Sequence, residues 1–274
     1  MTKTTNSHPT LSIITVNLNN RDGLQRTIDS VVGQTFTDYE WIVIDGGSTD
    51  GSRELIEQYQ DHFAHWCSEP DKGIYNAINK GIAHAKGDYI QILNSGDRLF
   101  ETNTLEVLFS KKYDADILYG DAMLLYPDGS RIDKHYPDTL SLNYFIHDVI
   151  NHQASFFRRK VFDGHPYNED YLIAGDWAYC LEAVCRGLHF QHVPQTIVYY
   201  DNNGISAQWT ERQIKERQEI LERYIPKHLK LDMAVIDELN LLRKRRSTKF
   251  LLDRSIRFCK RWNNLMEKIE KHRH

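Results

Sequence analysis

Apolar runs recur through the N-terminal third of the chain, and each ends on polar loop chemistry. Leu11–Val16 is short, apolar and β-branched, and Asn17–Asp22 follows it. Trp41–Ile44 repeats the pattern and closes into Asp45-Gly46-Gly47-Ser48-Thr49-Asp50-Gly51. A shorter segment near His65–Cys67 suits a third strand, and Tyr89–Leu93 runs into Asn94-Ser95-Gly96-Asp97. Runs of this length, bounded by Gly, Ser, Asn and Asp, predict strands covered on both faces. Between them the apolar spacing becomes helical. Leu24, Ile28, Val31 and Val32 precede Gly33; a helix is expected over about 52–63, capped by the Ser, Thr and Asp before it. Ile74, Ala77, Ile78, Ile82 and Ala85 line one face of another helix, where Gly81 permits close approach. The alternation predicts βαβ units and an α/β fold with a mainly parallel sheet flanked by helices.

Further along, Asp116–Tyr119 and Thr196–Tyr200 read as strands, and 120–137 as a hairpin around Pro127-Asp128-Gly129. Asp176–Arg186 reads as a helix, another is expected to begin near Glu101, and the chain is helical in character from Gln208 onward. The expected organisation is a flexible N-terminus over 1–10, a catalytic domain over 11–205, and a C-terminal helical extension over 206–274. No internal repeat is present.

Composition narrows the class. The chain has 274 residues, 41% apolar and 26% charged, as soluble globular proteins do. It has no uncharged apolar run long enough to span a bilayer, and Met1–Thr10 lacks a signal-peptide core. The four cysteines form no CxxC pair, so free thiols in a reducing, cytoplasmic setting are expected. Charge is uneven. Residues 243–274 hold twelve Lys and Arg against three acids, a balance of +9, so the remainder carries −13 of the net −4. There Phe250, Leu251, Ile256, Phe258, Trp262, Leu265 and Ile269 lie among basic residues, the pattern of a basic amphipathic helix. Such a helix suits the inner face of a membrane; packing on the catalytic domain or on a dimer partner suits it equally. No motif points to nucleic acid.

Candidate chemistry sits at strand ends, where open α/β sheets place ligands. Asp97 closes the turn after Tyr89–Leu93 and either binds a cation or caps the following helix. Asp45 and Asp50 are candidate ligand contacts or turn and cap residues. Asp71-Lys72-Gly73 opens a helix, where exposed N–H groups and positive charge favour anions. Asp176 is a candidate base or the N-cap of its helix.

Thr15-Val16-Asn17, the run Val43–Ser52, the run Asp71–Gly81 and the run Gly87–Asp97 occur in order at a familiar spacing. Together they resemble the inverting family 2 glycosyltransferases of GT-A fold, and most of all bacterial enzymes that build capsule, O-antigen or exopolysaccharide units. The match covers roughly 11–100, and Asn168-Glu169-Asp170 through Asp176-Trp177 extends it to about 187. The resemblance implies a nucleotide-sugar donor, UDP-linked by preference, contacted by Thr15, Asn17, Asp45, Asp71, Lys72 and Asn94. It implies Mn²⁺ or Mg²⁺ on Asp97 bridging the donor phosphates, and Asp176 as the base that deprotonates an acceptor hydroxyl, with Glu169 or Asp170 as competing assignments. His152, Gln153 and Trp177 would line the sugar and acceptor pocket. The acceptor is a saccharide, one carried on a polyprenyl lipid being compatible, and a homo-oligomer is allowed. The chain departs from the family at Gly46, where a second acid is common, at Ile78, where an Arg is common, and at Asn94 and Gly96 in the acidic turn. A nucleotidyltransferase, or a relative that binds nucleotide without catalysis, remains an alternative reading.

Overall fold

The computed structural model describes residues 8–202 and 210–226, with Leu229 and Glu238 singly. The described residues up to Leu221 belong to one compact unit, and the account below concerns that unit. The basic stretch 243–274 lies outside the described residues.

The first half alternates as the apolar pattern predicts. Strand β1 (Leu11–Asn17) leads to helix α1 (Arg21–Val32), β2 (Tyr39–Asp45) to α2 (Ser52–Gln58), and β3 (His65–Ser68) to α3 (Ile74–His84) and β4 (Tyr89–Ile92). All seven residues of β1 are buried, as a strand covered on both faces requires. Asn20 caps α1 by accepting the Gly23 N–H. Helix α3 packs on β1 and β2, and a Cβ on Gly81 would lie 2.4 Å from Ile14 Cγ2, so the close approach needs glycine. Helix α2 ends at Gln58, short of the expected 63, and a 3₁₀ turn at Gln60–His62 completes the segment.

The second half comprises β5 (Arg98–Leu99), α4 (Thr104–Phe109), β6 (Ile117–Leu125), β7 (Arg131–Lys134), α5 (Leu142–His147), β8 (Ser155–Arg158), α6 (Gly175–Cys185), β9 (Phe190–Asp201) and α7 (Glu211–Tyr224). Helix α4 starts at Thr104, three residues beyond the expected Glu101, and the Thr104 hydroxyl accepts the Glu101 N–H at 2.8 Å. The β6–β7 hairpin stands where Pro127-Asp128-Gly129 predicts it. Strand β6 runs past the expected end at Tyr119. Gly120 lets it through, since a Cβ there would lie 2.5 Å from Ile197 Cγ1 and 2.6 Å from the Gln195 carbonyl.

The nine strands form one sheet in the order β3-β2-β1-β4-β8-β6-β9-β5, with β7 on β6. Strands β1 to β4 pair entirely in parallel, as do β6 and β9; β8, β7 and β5 join antiparallel. The chain winds outward from β1 to β3 and then returns to lay β4 on the other side of β1. That reversal is a topological switch point, and it opens a crevice beyond the carboxyl ends of β1 and β4.

Candidate active site

Three parallel strands end in register on one polar row. Asn17 pairs with Asp45, and Asp45 with Ser68. Residues paired in register project to the same face, so these side chains meet. Asn17 Nδ2 donates to Asp45 Oδ1 at 2.7 Å and Ser68 Oγ to Oδ2 at 2.6 Å. The loop after β2 turns back on the same carboxylate, with the Ser48 N–H on Oδ2 at 2.9 Å and Ser48 Oγ on Oδ1 at 2.5 Å. Burial of Asp45 works to raise its pKa, but the bonds from Ser48, Ser68 and Asn17 outweigh it and hold the carboxyl below its usual range. A carboxylate offers about four acceptor directions, and four donors occupy them. Asn17 Oδ1 beside it is buried with no partner.

Thr15 lies outside this row. It is fully buried, and its hydroxyl accepts the Trp41 Nε1–H at 3.0 Å. Asp50 is a turn and cap residue, bonding the Ser52 N–H and hydroxyl and the Arg21 N–H. Asp71 pairs with Lys80 of α3 at 2.6 Å, and its Oδ2 lies 3.2 Å from where a Cβ on Gly46 would be. An acid at position 46 would therefore crowd Asp71. Lys72 is exposed at the α3 entrance, its N–H on Asn76 Oδ1 at 3.2 Å.

Beyond β4 the chain turns sharply, with Gly96 at φ +106°. Asn20 Nδ2 donates to the Ser95 carbonyl at 2.9 Å and ties this turn to the loop after β1. The Asp97 side chain is buried, and its Oδ1 accepts the Asp201 N–H at 2.9 Å. Burial raises its pKa to about 7, with that N–H working in the opposite direction. His152 bridges the two sides of the site, with Nε2 3.3 Å from Asn94 Nδ2 and Nδ1 3.2 Å from Asp176 Oδ2. With a proton on Nδ1 bonded to Asp176, Nε2 is left to accept from Asn94. Gln153 is buried, its carbonyl accepting Gln91 Nε2 at 2.7 Å and its side chain bonded to Asp97.

Asp176 opens α6 with a quarter of its side chain exposed. Burial works to raise its pKa, but His152, the Trp177 N–H and Tyr75 hold it below the usual range, so it stands ionised. Oδ2 faces His152 at 3.2 Å; Oδ1 accepts the Trp177 N–H at 2.8 Å and lies 3.4 Å from the Tyr75 hydroxyl. The Tyr75 hydrogen has a nearer acceptor in the Ile173 carbonyl at 2.8 Å. Asp176 thus has room for a further donor, whereas Asp45 has none. Glu169 is exposed and bound to Asn76 and Asn79 at 2.9 Å each, and Asp170 is exposed. Trp177 is 2% exposed, its indole N–H on the Phe145 carbonyl and its face under Arg217 at 4.1 Å.

A cation at the β4 turn would find few ligands. Asn94 Oδ1 is buried without a partner, and Asp97 supplies one carboxyl. Asp201 Oδ2 lies 3.7 Å from where a Cβ on Gly96 would be, with Arg26 paired to it at 3.3 Å. Among the described residues no group of three or more His, Cys, Asp or Glu gathers that could hold a metal. Two or three oxygens suit Mg²⁺ or Mn²⁺ provided phosphates and water complete the shell.

Sequence reasoning missed Ser68, Lys80, Tyr75 and Glu216. Ser68 alone left a signal, since the parallel register puts it level with Asp45. Among the described residues no helix is long and apolar enough to cross a membrane.

Residues 12–165 match the model of glycosyl transferase family 2. An uncharacterized glycosyltransferase of Mycobacterium tuberculosis is 37% identical over 209 residues, 73% of this chain and 78% of the relative. A PGL/p-HBAD biosynthesis glycosyltransferase of the same species is 28% identical over 222 residues, 76% of this chain and 84% of the relative. Among solved structures, S. aureus TarS 1-349 in complex with UDP-GlcNAc superposes with a TM-score of 0.62 at 15% identity, over 77% of this chain and 64% of that one. This likeness extends to the fold, α/β and GT-A-like.

Proposed function

Because the chain belongs to glycosyl transferase family 2 and is a glycosyltransferase, we propose that it moves a sugar from a UDP-linked donor to a saccharide hydroxyl with inversion, in building a surface glycan. The observation that carries the transfer step is Asp176. It is an ionised, partly exposed carboxylate with acceptor capacity to spare, tied through His152 to the turn at the switch point.

The diphosphate sits in the crevice beyond β1 and β4. The base lies toward the Asn17–Asp45–Ser68 row, where the orphaned Asn17 Oδ1 is the acceptor ready for a ring N–H. Asp45 acts by holding Asn17 and Ser48 in place. Lys72 and the N–H groups opening α3 favour the phosphates by charge. A divalent cation on Asp97 and Asn94 would act as a Lewis acid on the departing diphosphate. Asp176 accepts the acceptor hydroxyl's proton as that oxygen attacks the anomeric carbon. The bond from that carbon to the phosphate oxygen breaks, the nucleoside diphosphate leaves with the bonding pair, and the new linkage has opposite configuration. His152 keeps Asp176 oriented and ionised. Names of relatives such as the PGL/p-HBAD enzyme support an acceptor of the cell surface. The positive balance of 243–274 supports an acceptor presented at a membrane.

A nucleotide-sugar panel with intact-mass readout of a lipid-linked acceptor extract tests the reading. Asp176→Asn should lower turnover by about 10²–10⁴-fold with the donor KM unchanged. Full transfer by that variant would remove Asp176 as the base. Absence of UDP binding, with and without Mn²⁺, would refute the donor assignment.

A further inference from the structure

Five consecutive peptide N–H groups immediately before and at Asp176 end on just two side chains. Leu172 N–H donates to Glu216 Oε1, and those of Ile173 and Ala174 to Oε2, each at 3.0 Å. Gly175 and Asp176 donate to the Tyr75 hydroxyl at 2.8 and 3.2 Å, and that hydroxyl donates to the Ile173 carbonyl at 2.8 Å. Consecutive N–H groups turned to one point form an anion-binding concavity, and Glu216 of α7 fills it at 5% exposure. Burial works to raise the Glu216 pKa, yet the three N–H groups and Arg212 hold it below its usual range. Ala174, the N-cap of α6, makes no side-chain cap bond, so the start of that helix is held from outside. A Cβ on Gly175 would lie 2.6 Å from the Tyr75 ring, so the ring reaches the turn only because position 175 has no side chain.

We infer that Tyr75 and Glu216 are positioning residues for the transfer step, fixing the 172–176 turn so that Asp176 meets the acceptor hydroxyl. This rests on the reading of Asp176 as the base. Neither residue touches the reacting atoms. Tyr75 stands on α3, the helix that opens at Asp71-Lys72-Gly73, so the donor side and the base hang from one rigid element. Glu216 comes from α7 and locks the turn from the opposite end. A turn left to find its own position would displace the base, and an error of about 1 Å in a reacting group can cost about 10²-fold.

The test uses Tyr75→Phe, which deletes one oxygen and keeps the ring, and Glu216→Gln, which keeps shape and loses charge. Both are made in the full chain and compared with Asp176→Asn. Turnover, donor KM, UDP affinity and hydrogen exchange of the peptide spanning 170–177 are measured. The expected result is a fall in kcat of about 10- to 100-fold, with unchanged KM and UDP affinity and faster exchange at 172–176. Faster exchange with parental kcat would overturn the inference, while an inactive Asp176→Asn would leave the base reading standing. Unchanged exchange and kcat in both variants would overturn it as well. Equal losses of kcat and UDP affinity would reduce the pair to a general stabilising role. Full transfer by Asp176→Asn would remove the base, and the inference with it.

Discussion

Replacing Asp45 separates what that residue does for the fold from what it does for the ligand. Its carboxylate is fully buried and takes four hydrogen bonds, from Asn17, Ser48 twice and Ser68. Hydrogen bonds to a charged group contribute about 1.5–3 kcal/mol each in net terms, and a stranded donor costs about 1–3 kcal/mol. The two hydroxyls can rotate to other acceptors, which leaves the Asn17 amide and the Ser48 N–H as the costly pair. Asp45→Ala should therefore destabilise by about 3–4 kcal/mol. Asp45→Asn has a route of relief. Asn17 can flip its amide and offer Oδ1, the atom now without a partner, to the new amide N–H. That variant should cost about 1–2 kcal/mol. Urea unfolding followed by tryptophan fluorescence measures both, with buried Trp41 of the same strand as a reporter. An Asp45→Ala protein within about 0.5 kcal/mol of the parent would refute the reasoning, as would an Asn variant less stable than the Ala one. UDP titration completes the separation: Asn17→Ala should lose more affinity than Asp45→Asn, and the reverse order would return the base contact to Asp45.

With so few protein oxygens at the β4 turn, Mn²⁺ should bind weakly alone and tighten with UDP, as read by Mn²⁺ EPR, and Asp97→Ala should abolish the UDP-dependent part; equal binding without nucleotide would refute this. Asp45 and Glu216 have folded pKa values lowered from the ordinary range. Their stabilisation is thus complete above the ordinary values, about 3.9 and 4.3, and is lost as pH falls through the lower folded values. Asp45→Asn should flatten the decline of stability in this acid range, and an unaltered acid limb would contradict the assignment. A Cβ on Gly87 would lie 2.5 Å from the Ser12 nitrogen and 2.7 Å from the Leu11 carbonyl carbon, backbone that cannot give way. Gly87→Ala should cost about 3 kcal/mol or yield no soluble protein. Gly129→Ala meets nothing within 4 Å and should cost only the about 1–2 kcal/mol of its φ of +83°; similar thermal shifts for the two would rule out crowding as the cause.

Local pattern alone was enough for the first four strands and the helices between them. A strand buried on both faces needs a continuous apolar run, and a helix across it needs a stripe, so Leu11–Val16 and Ile74–Ala85 declare themselves. The turn at Asn94–Asp97 was legible as a strand-end turn for the same reason, since it ends such a strand. Later strands were harder to bound, because Gly120-Asp121 reads as a break until β9 is seen crowding against it.

Spacing and element position name Asp45, Asp97 and Asp176 as candidate acids, and their separate roles come from the family resemblance alone. All three are aspartates at element ends. They differ in how many donors reach each carboxylate and how much water remains: Asp45 is saturated, Asp97 is buried with its pKa raised to about 7, and Asp176 is ionised with room for a substrate proton. Those donors come from elsewhere in the chain, Ser68 23 residues from Asp45 and His152 24 residues from Asp176. Local sequence carries the periodicity that builds strands and helices. The acidity and reach of a side chain depend on neighbours that only the folded chain assembles.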